Sequence, residues 1–131
     1  MAKSILAVDD EHYILDLFRV CFRDSGYELI TDFDPVNAFH VADQRARSGN
    51  SIDLLITDLQ MPSLGGLDLI RNVRVVSPNT KFMLQSGREE AEVMRLIAAL
   101  RNEGIEVTYL PPRYLFDTGK FIGAVKSTLG E

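Results

Sequence analysis

A chain of 131 residues fits one ordinary domain and leaves no room for a second. With 46% apolar and 25% charged residues it has globular proportions and enough apolar surface for one core. Its net charge of −5 disfavours direct nucleic-acid binding, and no segment approaches the roughly 20 apolar residues of a membrane helix or the apolar stretch of a signal peptide.

Short apolar runs alternate with helix-period segments. Residues 4–8 are apolar and β-prone and stop at Asp9. Residues 12–23 place Ile14, Leu15, Leu17, Phe18 and Cys21 on roughly one helical face, with Gly26 as a stop. Cys21 is the only cysteine, which excludes an internal disulfide, predicts a buried thiol and points to the cytoplasm. Residues 27–33 read as a second strand. Asp34-Pro35 then reads as a helix cap followed by proline in the first turn, and Gly49-Asn50 ends that helix. Residues 52–57 are too apolar for an exposed sheet face and predict a central parallel strand buried on both sides. A glycine-containing loop leads to a helix over 67–76, stopped by Ser77-Pro78. A strand over 81–85, a helix over 89–102, a strand over 106–110 and a helix over 116–129 complete the chain. Five β-α repeats imply a parallel sheet with helices on both faces.

In open parallel sheets, sites form beyond the carboxyl ends of the strands, where strand order reverses. The first strand ends at Asp9-Asp10-Glu11, the third at Thr57-Asp58 and the fourth at Ser86-Gly87. If the first and third strands are neighbours, Asp9, Asp10 and Asp58 converge. Clustered carboxylates must either protonate or hold a cation, and Mg²⁺ is the natural choice for oxygen ligands. A carboxylate beside such an ion can attack phosphorus, and the Ser86 hydroxyl can donate to a phosphoryl oxygen. A single aspartate at a strand-to-helix turn is commonly a helix cap. Three aspartates and a hydroxyl at successive strand ends fit that reading poorly.

These residues resemble the receiver domains of two-component response regulators over nearly the whole chain. The resemblance rests on Val8-Asp9-Asp10-Glu11, Thr57-Asp58-Leu59-Gln60-Met61-Pro62, Gly65-Gly66-Leu67, Ser86-Gly87 and Tyr109-Leu110, in that order. It implies a flavodoxin-like (βα)5 three-layer α/β sandwich with strand order 2-1-3-4-5. It further implies a single receiver domain over 1–131 with no output domain following. Asp58 would be the phosphoacceptor. Asp9, Asp10, Asp58 and the backbone carbonyl of Gln60 would hold Mg²⁺. Ser86 would be the switch hydroxyl and Tyr109 the switch aromatic. Gln60 and Arg88 fall where receivers tune dephosphorylation. A histidine kinase or phosphotransfer protein would donate the phosphoryl group, and a downstream protein would read the face made by the fourth helix, fifth strand and fifth helix. The expected role is a cytoplasmic switch, not an enzyme beyond self-phosphorylation and autodephosphorylation.

The chain departs from the receiver pattern in two places. The lysine that receivers carry after the fifth strand falls at Pro112, with Arg113 one residue later as a possible substitute. The stretch between Ser86 and Tyr109 is about one helical turn longer than usual. These departures support an alternative: a pseudo-receiver that binds a partner protein without phosphate. A phosphatase with a nucleophilic aspartate after the first strand would need Asp-x-Asp there, and the chain has Asp9-Asp10-Glu11. His12, expected exposed at a helix start, and His40, expected structural, lack metal-ligand spacing.

Overall fold

The computed structural model describes residues 2–131. Five strands alternate with five α-helices: β1 (Ser4–Val8), α1 (His12–Phe22), β2 (Glu28–Asp32), α2 (Pro35–Arg47), β3 (Leu54–Asp58), α3 (Gly66–Val76), β4 (Lys81–Gln85), α4 (Glu90–Asn102), β5 (Thr108–Leu110) and α5 (Thr118–Leu129). All strands pair in parallel in the order β2-β1-β3-β4-β5. This is the expected strand order.

The central strands β1 and β3 are largely apolar because both of their faces are covered, whereas the edge strand β2 is only partly buried. Ile5, Ala7, Leu54, Ile56, Met83 and Leu110 point to one side, where α1 and α5 supply Leu15, Phe18, Cys21, Phe121 and Val125. Leu6, Val8, Leu55 and Leu84 point to the other, where α2, α3 and α4 supply Ala38, Ala42, Leu69, Val73, Ile97 and Leu100. The period-2 alternation of each strand thus divides the interior into two packing clusters. The small Ala38 and Ala42 bring α2 close to the sheet and α3.

Local chemistry explains most boundaries. Asp34 caps α2 by accepting the Val36 N–H at 2.9 Å, with Pro35 at the first helical position, as the sequence predicts. Three starts differ from expectation by two residues. β3 begins at Leu54, not at 52, because Ile52 and Asp53 precede the ladder with β1. The strand predicted over 106–110 pairs only from Thr108: the chain leaves α4 through Gly104 at φ 83° and spends Ile105 and Val107 on the core beneath α4 before reaching β4. The last helix starts at Thr118, not at 116. Pro111-Pro112 leads into a 3-10 turn, Pro112–Phe116, and Asp117 then caps α5 by accepting the Lys120 N–H at 3.1 Å. Phe116 therefore belongs to the turn and projects from it, 79% exposed. The Cys21 thiol is buried as predicted and donates to the Leu115 carbonyl at 3.4 Å, tying α1 to that turn.

Candidate phosphoryl and metal site

Strand register levels the site. Val8 pairs with Thr57, Asp58 with Gln85, and Gln85 with Leu110, so the carboxyl ends of β1, β3, β4 and β5 finish on one rim. Asp9 and Asp10 leave β1 there, Asp58 ends β3, and Ser86 follows β4. A cavity of about 410 Å³ opens at this rim. It is lined by Asp9, Asp10, Glu11, Asp58, Gln60, Gln85, Ser86, Arg88 and Pro112, among others.

The three aspartates meet: a carboxylate oxygen of each of Asp9, Asp10 and Asp58 lies within 4.8 Å of the others. None of them caps a helix. The N-cap of α1 is Glu11, which makes no side-chain cap, and that of α3 is Gly65. Asp9 Oδ1 instead accepts the Glu11 N–H at 2.9 Å, folding the β1–α1 turn so that Asp9 is only 2% exposed while Asp10 remains open to solvent. Burial pushes the Asp9 carboxyl up to about 7; the Glu11 N–H opposes this, and Asp58 and Asp10 add to it. Burial likewise pushes Asp58 up to about 6, against the Leu59 N–H, with Asp10 and Glu11 raising it further. The three carboxylates crowd one pocket, and a hard cation with oxygen ligands fits the donor set.

Gly66 holds the loop that follows Asp58. Its N–H donates to the Leu59 carbonyl at 2.9 Å, and a Cβ on Gly66 would sit 1.9 Å from the Asp58 carbonyl oxygen and 2.9 Å from its carbon. Only glycine lets the first turn of α3 approach the Asp58 backbone this closely. Thr57, wholly buried, donates its hydroxyl to the Asp58 carbonyl at 3.0 Å.

Ser86 is buried at the rim, and its Oγ accepts the Arg88 N–H at 3.1 Å. Pro112 lines the cavity. Arg113 does not: it is exposed on the 3-10 turn, with its guanidinium 5.4 Å from the centre of the Tyr114 ring. Arg88 is the one cation among the described lining residues. Tyr109 is half-buried on β5, packed against the cluster under α4 and outside the cavity lining. Burial raises its hydroxyl; Glu90 adds to the rise and Arg113 opposes it. His12 stacks near Phe33 at 5.2 Å, and neither it nor exposed His40 joins the carboxylate cluster.

Sequence reasoning missed the apolar rim. Tyr13, 60% exposed, and Phe116 flank the acidic floor together with Ile14 and Leu115. Tyr13 was findable, since it lies off the buried stripe of α1. Phe116 was hidden by its assignment to a helix.

A family model described as the response regulator receiver domain matches residues 5–106. The polar-differentiation response regulator DivK of Brucella ovis is 26% identical, with the match covering 100% of this chain and 99% of that protein. The chemotaxis protein CheY4 of Vibrio cholerae superposes with a TM-score of 0.79 at 25% identity, over 98% of this chain and 99% of that one. A CheY-like receiver domain protein from Methanospirillum hungatei superposes with a TM-score of 0.80 at 20% identity, over 99% and 95%, and that likeness is one of fold.

Proposed function

Because the chain belongs to the response regulator receiver domain family, we propose that it is a Mg²⁺-dependent phosphoacceptor switch in two-component signalling, phosphorylated on Asp58. The observation that carries this reading is the convergence of Asp9, Asp10 and Asp58 within 4.8 Å at one rim, with the Ser86 hydroxyl at the end of the next strand. Asp9, Asp10, Asp58 and the Gln60 carbonyl would hold the ion. A bound Mg²⁺ supplies charge neutralisation to the acidic pocket and to the phosphoryl group.

The chain's own residues account for the rest of the transfer. An ionised Asp58 oxygen attacks the donor phosphorus, the phosphorus–donor bond breaks, and the donor leaves with the electron pair. The Ser86 hydroxyl, held at the rim, donates to a phosphoryl oxygen. Tyr109 follows that change from the α4 side of β5. The donor is a histidine kinase or a phosphotransfer protein. The reader is a protein that binds α4, β5 and α5, which share one edge because β5 is the last strand, with α4 on one face of the sheet and α5 on the other. The single reduced, buried thiol is consistent with a cytoplasmic home, and among the described residues no helix is long and apolar enough to cross a membrane.

The test is intact mass after incubation with acetyl phosphate, with and without Mg²⁺, beside an Asp58→Asn control. We expect one phosphoryl group to be gained only with Mg²⁺ and only in the unaltered chain. A specific observation favours a second reading, a phosphate-independent binding module: Pro112 occupies the place of the lysine, and Arg113 turns to Tyr114. Tyrosine fluorescence that fails to respond to Mg²⁺, in a folded protein that gains no mass, would select that module instead.

A further inference from the structure

A phosphoryl group on Asp58 brings close to two negative charges into a cavity already lined by Asp9, Asp10 and Glu11. A divalent ion offsets part of that charge. Among the described residues, the only side chain of the lining that offers a positive charge is Arg88. Its backbone is already committed to the site, because its N–H donates to Ser86 Oγ. Its guanidinium is paired with Glu92, in the first turn of α4. Both partners are partly exposed, so this is a weak, exchangeable pair. Arg88 also lines a second hollow, of about 300 Å³, between the Asp58 loop and α4, beside Leu59, Gly65 and Leu96. The side chain therefore stands where the acidic cavity and the face of α4 meet.

Resting on the phosphoacceptor reading above, we propose that Arg88 is the phosphoryl-binding cation of this chain and takes the charge-neutralising role that Pro112 cannot. A phosphoryl dianion offers three acceptor oxygens and more charge than a single carboxylate, so it outcompetes Glu92 for the guanidinium fork. The exchange frees Glu92 in the first turn of α4, which already carries Glu90. Phosphorylation then changes the charge of the α4 face directly, through one side chain at the rim.

The test compares the unaltered chain with Arg88→Ala, Arg113→Gln and the double variant Arg88→Ala/Pro112→Lys. The rate of mass gain from acetyl phosphate with Mg²⁺ is read for each. So is the shift in melting temperature caused by Mg²⁺ alone and by Mg²⁺ with beryllium trifluoride, a phosphoryl mimic. We expect Arg88→Ala to slow mass gain about tenfold or more. It should shrink the added shift from beryllium trifluoride and leave the shift from Mg²⁺ alone in place. The double variant should recover most of the rate. An Arg88→Ala chain that gains mass at the unaltered rate overturns the proposal while leaving the phosphoacceptor reading intact. A loss confined to Arg113→Gln also overturns it and assigns the role to Arg113. No mass gain in the unaltered chain overturns both readings together.

Discussion

Asp9 is the residue whose environment departs furthest from that of a free side chain. Its carboxyl is raised from 3.8 to about 7 in the folded chain, so between those values the folded state holds a proton that the unfolded state has released. Stability must therefore fall as pH rises through that window, with the full cost present above about 7. At about 1.4 kcal/mol per unit the cost is on the order of 4 kcal/mol without a cation. Asp9→Asn removes the titration and keeps an oxygen for the Glu11 N–H. We expect it to stabilise the cation-free protein by about 2 kcal/mol more at pH 8 than at pH 5, or roughly 6 to 10 °C in melting temperature. Equal gains at both pH values in a thermal scan would refute the assignment of cause. The same variant should weaken Mg²⁺ binding. Gly66 is the second position where one atom decides the outcome. Alanine there gains helix propensity but drives a methyl group into the Asp58 backbone. The clash should win: Gly66→Ala should cost about 2 kcal/mol in urea titration and reduce Mg²⁺ affinity as the acceptor loop shifts.

At the scale of elements, how much was legible depended on how local the signal was. The β1 and β4 boundaries and the Asp34-Pro35 start of α2 follow from adjacent residues and match. The β5 start does not, because Val107 looks β-prone but its fate is set by α4 and its Gly104 exit, a tertiary matter. The 3-10 turn was hidden for a related reason: Phe116 reads as the first apolar residue of the last helix, and the Asp117 cap that separates it from α5 was not recognised. The carboxylates were legible as strand ends because parallel sheets make strand ends a rim. Arg88 was legible only as a position and not as a cation, since its relation to Ser86 and Glu92 exists only once β4 runs into α4. The cap itself can be weighed. Asp117→Ala should destabilise the protein by about 1 kcal/mol in denaturant without altering Mg²⁺ binding, since Asp117 lies outside the cavity lining.

For the molecule as a whole, the sheet is a wall with different packing partners on its two sides, α1 and α5 on one and α2, α3 and α4 on the other. Phe18 and Phe121 meet on one side with ring centres 5.8 Å apart, while Leu100 lies in the other cluster. Phe18→Leu with Phe121→Leu should therefore show a coupling of about 0.5 kcal/mol or more in a double-mutant cycle. Phe18→Leu with Leu100→Ala should add to within about 0.5 kcal/mol in equilibrium unfolding; strong coupling there would mean that the wall transmits packing. Such independence has a bearing on how the chain can change over generations. Substitutions that reshape α4 draw on one reserve of stability, and those that reshape α1 or α5 draw on the other. The two surfaces can then be altered in separate steps, while the acidic rim between them stays as it is.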